Sequence, residues 1–303
     1  MVPNEENSFT HAEHLWAAGD VDAAVQLYVD LSRHARAPDL RLRSALAIVE
    51  RVNPSRNAEI ILEACSTGIE LAEILGEPQT KAYVMGMRAK NLGIVNGFLS
   101  LARKNLRLAP VWLGFSLERD ENQCKSLTAQ IHANDDEIGH LVRSAQQEST
   151  DQTTLGHVLL SVGNVWFQRY LTSKADFHRK SIPLPSFVRK ELRNHMLDDY
   201  LLYNATDCQA LHKQLRECEM RYLEAAASFR AAGDELNEGY AIYALANDLR
   251  SANRFRKAKR YLIRAEMIAN RHKDQKLLQS IAVVKERIRR RNRNVPNYVA
   301  GEQ

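Results

Sequence analysis

Small residues recur at helical spacing between residues 221 and 269, in RYLEAAASFRAAGD followed by ELNEGYAIYALANDLRSANRFRKAKRYLIRAEMIA. Ala246 and Leu249 lie about one turn apart, and Ala258, Leu262 and Ala265 repeat an i, i+4, i+7 stripe on a second helix. Asn253-Arg254 is the polar break between the two. Small side chains at that period let helices approach closely. A narrow apolar stripe does not hold a helix together alone in water, so such a chain has to stack helix on helix. With only 13 Gly and 8 Pro in 303 residues, few turns remain for strands, and the expected fold is all-α.

The N-terminus carries the same pattern. In SFTHAEHLWAAGDVDAAVQLYVDLSRHARAP, Ala12 and Leu15 mark a first helix, Gly19-Asp20 a turn, and Ala24, Tyr28 and Leu31 a second helix. This order of small, large, turn, small, aromatic and large residues resembles a tetratricopeptide repeat. Ser8 departs from the pattern where an aromatic is preferred, and Leu31 where Ala is preferred. The resemblance implies a right-handed α-solenoid of about seven helical hairpins ending in a basic capping helix, with a concave groove lined by the first helix of each pair.

Between these ends, Asn53-Pro54 closes a helix begun at Leu40, and Gly76-Glu77-Pro78 closes the next. Turns are expected at Asn96-Gly97 and near Asn134-Asp135, with Asp135 as a helix cap, and further helices over 186–204 and 207–232. Ala24, Ala102 and Ala258 are separated by multiples of 39 residues, the spacing expected if they hold equivalent places in second helices. Pro183 and Pro185 mark residues 173–186 as a loop between N-terminal hairpins (1–172) and C-terminal hairpins (187–293), and 294–303 reads as a disordered tail.

Charge is segregated. Residues 249–293 hold sixteen Lys or Arg against three acids, so this stretch carries +13 and the other 258 residues −8 in a chain whose total is +5. Such asymmetry concerns partners rather than fold. Arg254, Arg256, Lys257, Lys259, Arg260 and Arg264 fall in one helix, and Arg287, Arg289, Arg290, Arg291 and Arg293 in the last. This basic surface suits nucleic-acid phosphates, an acidic protein, the chain's own acidic N-terminal part, or a solvated cap. Aromatic interleaving is limited to Phe255 and Tyr261, which leaves nucleic acid the second reading.

Applied to the 221–269 unit, the tetratricopeptide resemblance implies that Tyr240, Tyr243, Asn247, Arg250 and Ser251 line the groove. Asn247 matches the asparagine used there to hold a peptide backbone, whereas Tyr240, Tyr243 and Ala244 do not supply the cations of the family's carboxylate clamp. Glu191, His195, Asp198 and Asp199 share one helical face at metal-ligand spacing, although mixed acid and His faces of this kind are commonly solvated. The chain has no phosphate loop, nucleophile elbow, H-E-x-x-H or dinucleotide fingerprint. The expected function is therefore a non-catalytic adaptor or regulatory protein that binds a protein or peptide partner and needs no cofactor. Nucleic-acid binding and small-ligand or peptide sensing are the alternatives. Cys65, Cys124, Cys208 and Cys218 form no disulfide framework, no signal peptide is apparent, and no stretch is long enough to span a membrane, so a cytoplasmic setting is expected.

Overall fold

The computed structural model describes the backbone of residues 5–53, 57–108, 117–180 and 186–293, and the side chains of these residues except 104–121, 174–208 and 291–293. Helix α1 (Glu5–Ala18) ends on Gly19, which takes a φ of 87° that strains any residue with a Cβ. Gly19 N–H donates to Trp16 O (3.1 Å), and Asp20 N–H reaches back to Leu15 O (2.9 Å). The Asp20 carboxylate then accepts from Ala23 N–H, opening α2 (Val21–His34).

The same pair of backbone bonds recurs at Gly76-Glu77, Gly233-Asp234, Asn253-Arg254 and Lys273-Asp274, each with a left-handed first residue. Gly76-Glu77 separates α4 (Ala58–Ile74), which follows α3 (Pro38–Arg51), from α5 (Pro78–Leu108). Next come α6 (Leu117–Glu148), α7 (Gln152–Lys180) and α8 (Ser186–Ala231), and the last three turns separate α8, α9 (Glu235–Ser251), α10 (Phe255–His272) and α11 (Gln275–Arg293). Among the described residues the fold is all-α, with no strand.

Each helix packs on its neighbour in chain order, with one exception. α6 and α7 meet little, and α7 instead lies along α5. The apolar interior consequently forms three main clusters in series. Tyr28, Ile48 and Ile61 belong to the first, Leu92, Ile138 and Val162 to the second, and Phe229, Ile242, Leu262 and Leu277 to the third. Ile69 touches the first two, and Trp166 the second and third. Neighbours are also stitched by polar groups: Tyr28 Oη donates to Glu13 Oε1 (2.8 Å), and Arg51 from α3 donates to both (2.9 and 2.8 Å).

Helix α7 is held on two faces by close approach. A Cβ on Gly86 or Gly93 of α5 would stand 3.3 Å from Val158 and 3.5 Å from Val165 of α7. On another face of α7, a Cβ on Gly156 or Gly163 would meet the Phe229 ring at 2.7 Å and the Tyr222 ring at 3.1 Å. Here side chains from the neighbouring helix fill space that only a glycine hydrogen leaves open.

The middle of the chain corrects several expectations. α5 runs unbroken through Asn96-Gly97. Asn96 is buried, donates to Ile131 O and Asp135 Oδ1 (both 3.3 Å), and accepts from Asn134 Nδ2 (2.7 Å). α6 likewise passes through Asn134-Asp135, and Asp135 pairs with Arg169 of α7 (2.9 Å) instead of capping a helix. These polar residues bond across three helices, which satisfies them without ending any. α8 is continuous across 204–207 as well. Among the described residues the helices number eleven. Ala24 and Ala258 are buried but Ala102 is exposed, so the 39-residue spacing does not mark equivalent positions. Helix covers 173–180 and resumes at Ser186 within the segment expected to be a loop, and the 294–303 tail lies outside the described residues.

Candidate functional site

Helix α9 is capped by Asp234, which accepts from Asn237 N–H (3.1 Å), and it is anchored by one apolar face. Ala241, Ile242, Leu245, Ala246 and Leu249 are essentially inaccessible. Tyr240, Tyr243, Asn247, Arg250 and Ser251 fall within about 100° of arc on the other side, and all five are half-buried. They form one face. Tyr240 Oη donates to Asp274 Oδ2 of the α10–α11 turn (3.1 Å). Arg250 Nη2 donates to Asn247 Oδ1 and Ser251 Oγ (3.0 Å each), and Ser251 Oγ donates to Asn247 O (3.1 Å). The Asn247 carboxamide oxygen is thus engaged within its own helix, while its amide nitrogen makes no hydrogen bond among the described residues.

Below this face, Asp248 is buried and accepts from Tyr222 Oη of α8 (2.8 Å). Burial lifts Asp248 to about 7, against the opposing Tyr222 hydrogen bond and Arg250 charge. The same burial, with Asp248 beside it, raises Tyr222 well above the ordinary tyrosine value. Cys218 is also buried and raised, and burial pushes the Cys65 thiol up to about 12, which makes both poor nucleophiles.

The basic residues split into two groups. Some are paired within the fold: Lys257 with Glu219 (2.8 Å) and Arg264 with Glu238 (2.6 Å) on other helices, and Arg290 with Glu286 (3.0 Å) one turn away on its own helix, while Arg254 Nη2 lies 2.9 Å from His212 Nε2. Glu238, with only 6% of its side chain exposed, also binds Arg230 (2.6 Å) and so ties α8, α9 and α10 together. Arg256, Lys259, Arg260, Arg287 and Arg289 are exposed and make no ion pair among the described residues. Arg291 and Arg293, and the Glu191, His195, Asp198 and Asp199 set, have side chains outside the described residues. Among the described residues, no cluster of three or more His, Cys, Asp or Glu could hold a metal ion.

A separate concavity lies on the other side of α9. A cleft of about 910 Å³ opens between α8 and the α9–α10 turn. Its floor includes Leu215, Leu223, Leu249 and Phe255, and Leu249 points away from the Tyr240–Ser251 face of α9. The α8 contributors Leu215, Arg216, Met220 and Leu223 drew no attention in the sequence. Leu215 and Leu223 lie eight residues apart and Arg216 and Met220 four, a spacing that also describes an ordinary amphipathic helix. No helix among the described residues is long and apolar enough to cross a membrane. The chain matches no protein-family model and no curated protein.

Proposed function

We propose that the protein is a non-catalytic scaffold, a tetratricopeptide-like right-handed solenoid that binds a segment of a partner protein on its concave side. The observation that carries this reading is the half-buried face of α9. Two tyrosines, Asn247 and Arg250 stand together there, on a helix whose opposite side is fixed in the core. Tyrosine provides contact area at low entropy cost, and an asparagine amide can bond an extended backbone. The serial clusters, recurring left-handed turns and neighbour-by-neighbour packing support the solenoid, in which recognition belongs to exposed helix faces. The polar outer face of α11 suits a terminal cap.

Nucleic-acid binding is the second reading, favoured by the unpaired Arg256, Lys259, Arg260, Arg287 and Arg289. Neutralisation of Lys257, Arg264 and Arg290 within the fold leaves fewer cations for it than the sequence count implies.

The test is affinity purification from the native cell with and without nuclease, using wild type and Tyr243→Ala/Asn247→Ala. The scaffold reading expects a stoichiometric protein partner that survives nuclease and is lost from the double variant. Retention abolished by nuclease and by Arg256→Glu/Lys259→Glu/Arg260→Glu, with no partner affected by the α9 variant, overturns it in favour of nucleic acid.

A further inference from the structure

The backbones of α8 and α10 do not pack closely against each other, and side chains bridge them. Lys257 Nζ and Tyr261 Oη both donate to Glu219 (2.8 and 3.1 Å), and Arg254 lies against His212 (2.9 Å). Asn253, at a φ of 63°, sets the angle at which α10 leaves α9, and the cleft opens in that fork. Its floor is aliphatic except for Phe255. Leu215 and Leu249 are buried, Leu223 and Phe255 half-buried, and Met220 is 40% exposed.

The rim is cationic. Arg216 and Arg256 are exposed, without an ion pair among the described residues, and Arg254 and Lys257 stand beside them. Among the described residues of the lining the only acid is Glu219, already bound by a lysine and a tyrosine. An apolar floor inside a positive rim favours a ligand with the opposite plan, large apolar side chains on one face and carboxylates along its flanks. A single-stranded nucleic acid fits less well, because bases need aromatic faces to stack on and the floor offers one.

We propose that the cleft between α8 and the α9–α10 turn is a second docking site, separate from the α9 face, for an acidic amphipathic segment of a partner protein. Apolar anchors of that segment sit over Leu215, Leu223, Leu249 and Met220, and its carboxylates pair with Arg216, Arg254 and Arg256. The site holds whether or not the Tyr243 face binds anything.

The experiment is selection of a random-sequence displayed peptide library on the full chain, run in parallel on wild type, Arg216→Glu/Arg254→Glu, and Tyr243→Ala/Asn247→Ala. Melting temperatures of both double variants within a few degrees of wild type establish that they fold. The expected result is enrichment of peptides rich in Asp and Glu with apolar residues at i, i+3 or i+4, and i+7. A synthesised winner should bind the charge-reversed protein at least tenfold more weakly, while the α9 variant binds it unchanged. Enrichment of neutral or basic peptides, equal binding to the charge-reversed protein, or no enrichment overturns the inference. Binding of a 20-nucleotide poly-uridine that depends on Arg216 and Arg254 overturns it for nucleic acid. Loss of binding only in the α9 variant removes the cleft and leaves the scaffold reading standing.

Discussion

The two ends of the molecule and its middle are built differently. α1–α4 and α9–α11 run 14 to 19 residues each, with buried alanines such as Ala12, Ala24, Ala45, Ala246, Ala258 and Ala265. α5–α8 run 29 to 46 residues, and α5, α7 and α8 meet through glycines. A polar residue consequently means different things in the two settings. At the ends, Asn253 occupies a left-handed turn and lets the chain reverse. In the middle, Asn96 lies inside a helix and bonds two points on the next one. Enclosed polar groups are met by partners from neighbouring helices in both settings, Glu238 and Asp248 at the C-terminal end as well as Asn96 in the middle.

The largest expected effect tests the buried polar seam at the C-terminal end. Folding lifts Asp248 from 3.8 to about 7, so its contribution to stability is complete below about pH 4 and is lost as pH rises through 7. Asp248→Asn should therefore gain on wild type between pH 5 and pH 8, by about 2–3 kcal/mol, in melting curves taken across that range. A pH-independent difference would show that Asp248 is solvated.

Next is the glycine packing of the middle. Gly156→Ala places a methyl group against the buried Phe229 ring and should cost about 1–3 kcal/mol in urea denaturation. Gly139→Ala on α6, whose Cβ would meet only the end of Arg143 at 3.5 Å, should instead add about 0.5–1 kcal/mol through helix propensity. The same substitution thus carries opposite signs at two points of the long-helix region.

A smaller gain is expected at the end region's turn. Asn253→Gly relieves a left-handed residue and should stabilise by a few tenths to about 1 kcal/mol, read by the same denaturation. The smallest effect concerns Arg33–Glu63, whose side chains are 45% and 50% exposed. Arg33→Ala should leave the urea denaturation midpoint indistinguishable from wild type, because water and salt screen a pair this exposed.

This contrast also explains which parts were legible in the sequence. Gly19-Asp20, Gly76-Glu77, Gly233 and Asn253-Arg254 announced their turns, because a left-handed residue followed by a capping or polar residue is a local requirement. Asn96 and Asn134-Asp135 resemble the same signal locally, and only the neighbouring helix reveals them as cross-links. Tyr240, Tyr243, Asn247, Arg250 and Ser251 came from the tetratricopeptide resemblance, and helical geometry accounts for their sharing one half-buried side of α9. The count of cations was legible too, but their availability was not, since Glu219 and Glu238 lie 38 and 26 positions away from the Lys257 and Arg264 they neutralise. The cleft depends on the angle between α8 and α10, a tertiary quantity with no local signature.

Small-angle X-ray scattering of the purified monomer tests most directly whether the helices are stacked in a row. A compact chain of this length has a radius of gyration of about 19 Å. The expected result is a value well above that, with a skewed, long-tailed distribution of interatomic distances. A value near 19 Å with a symmetric distribution would mean that the helices close into a bundle, contradicting the row of helices and the accessible side of α9 that depends on it.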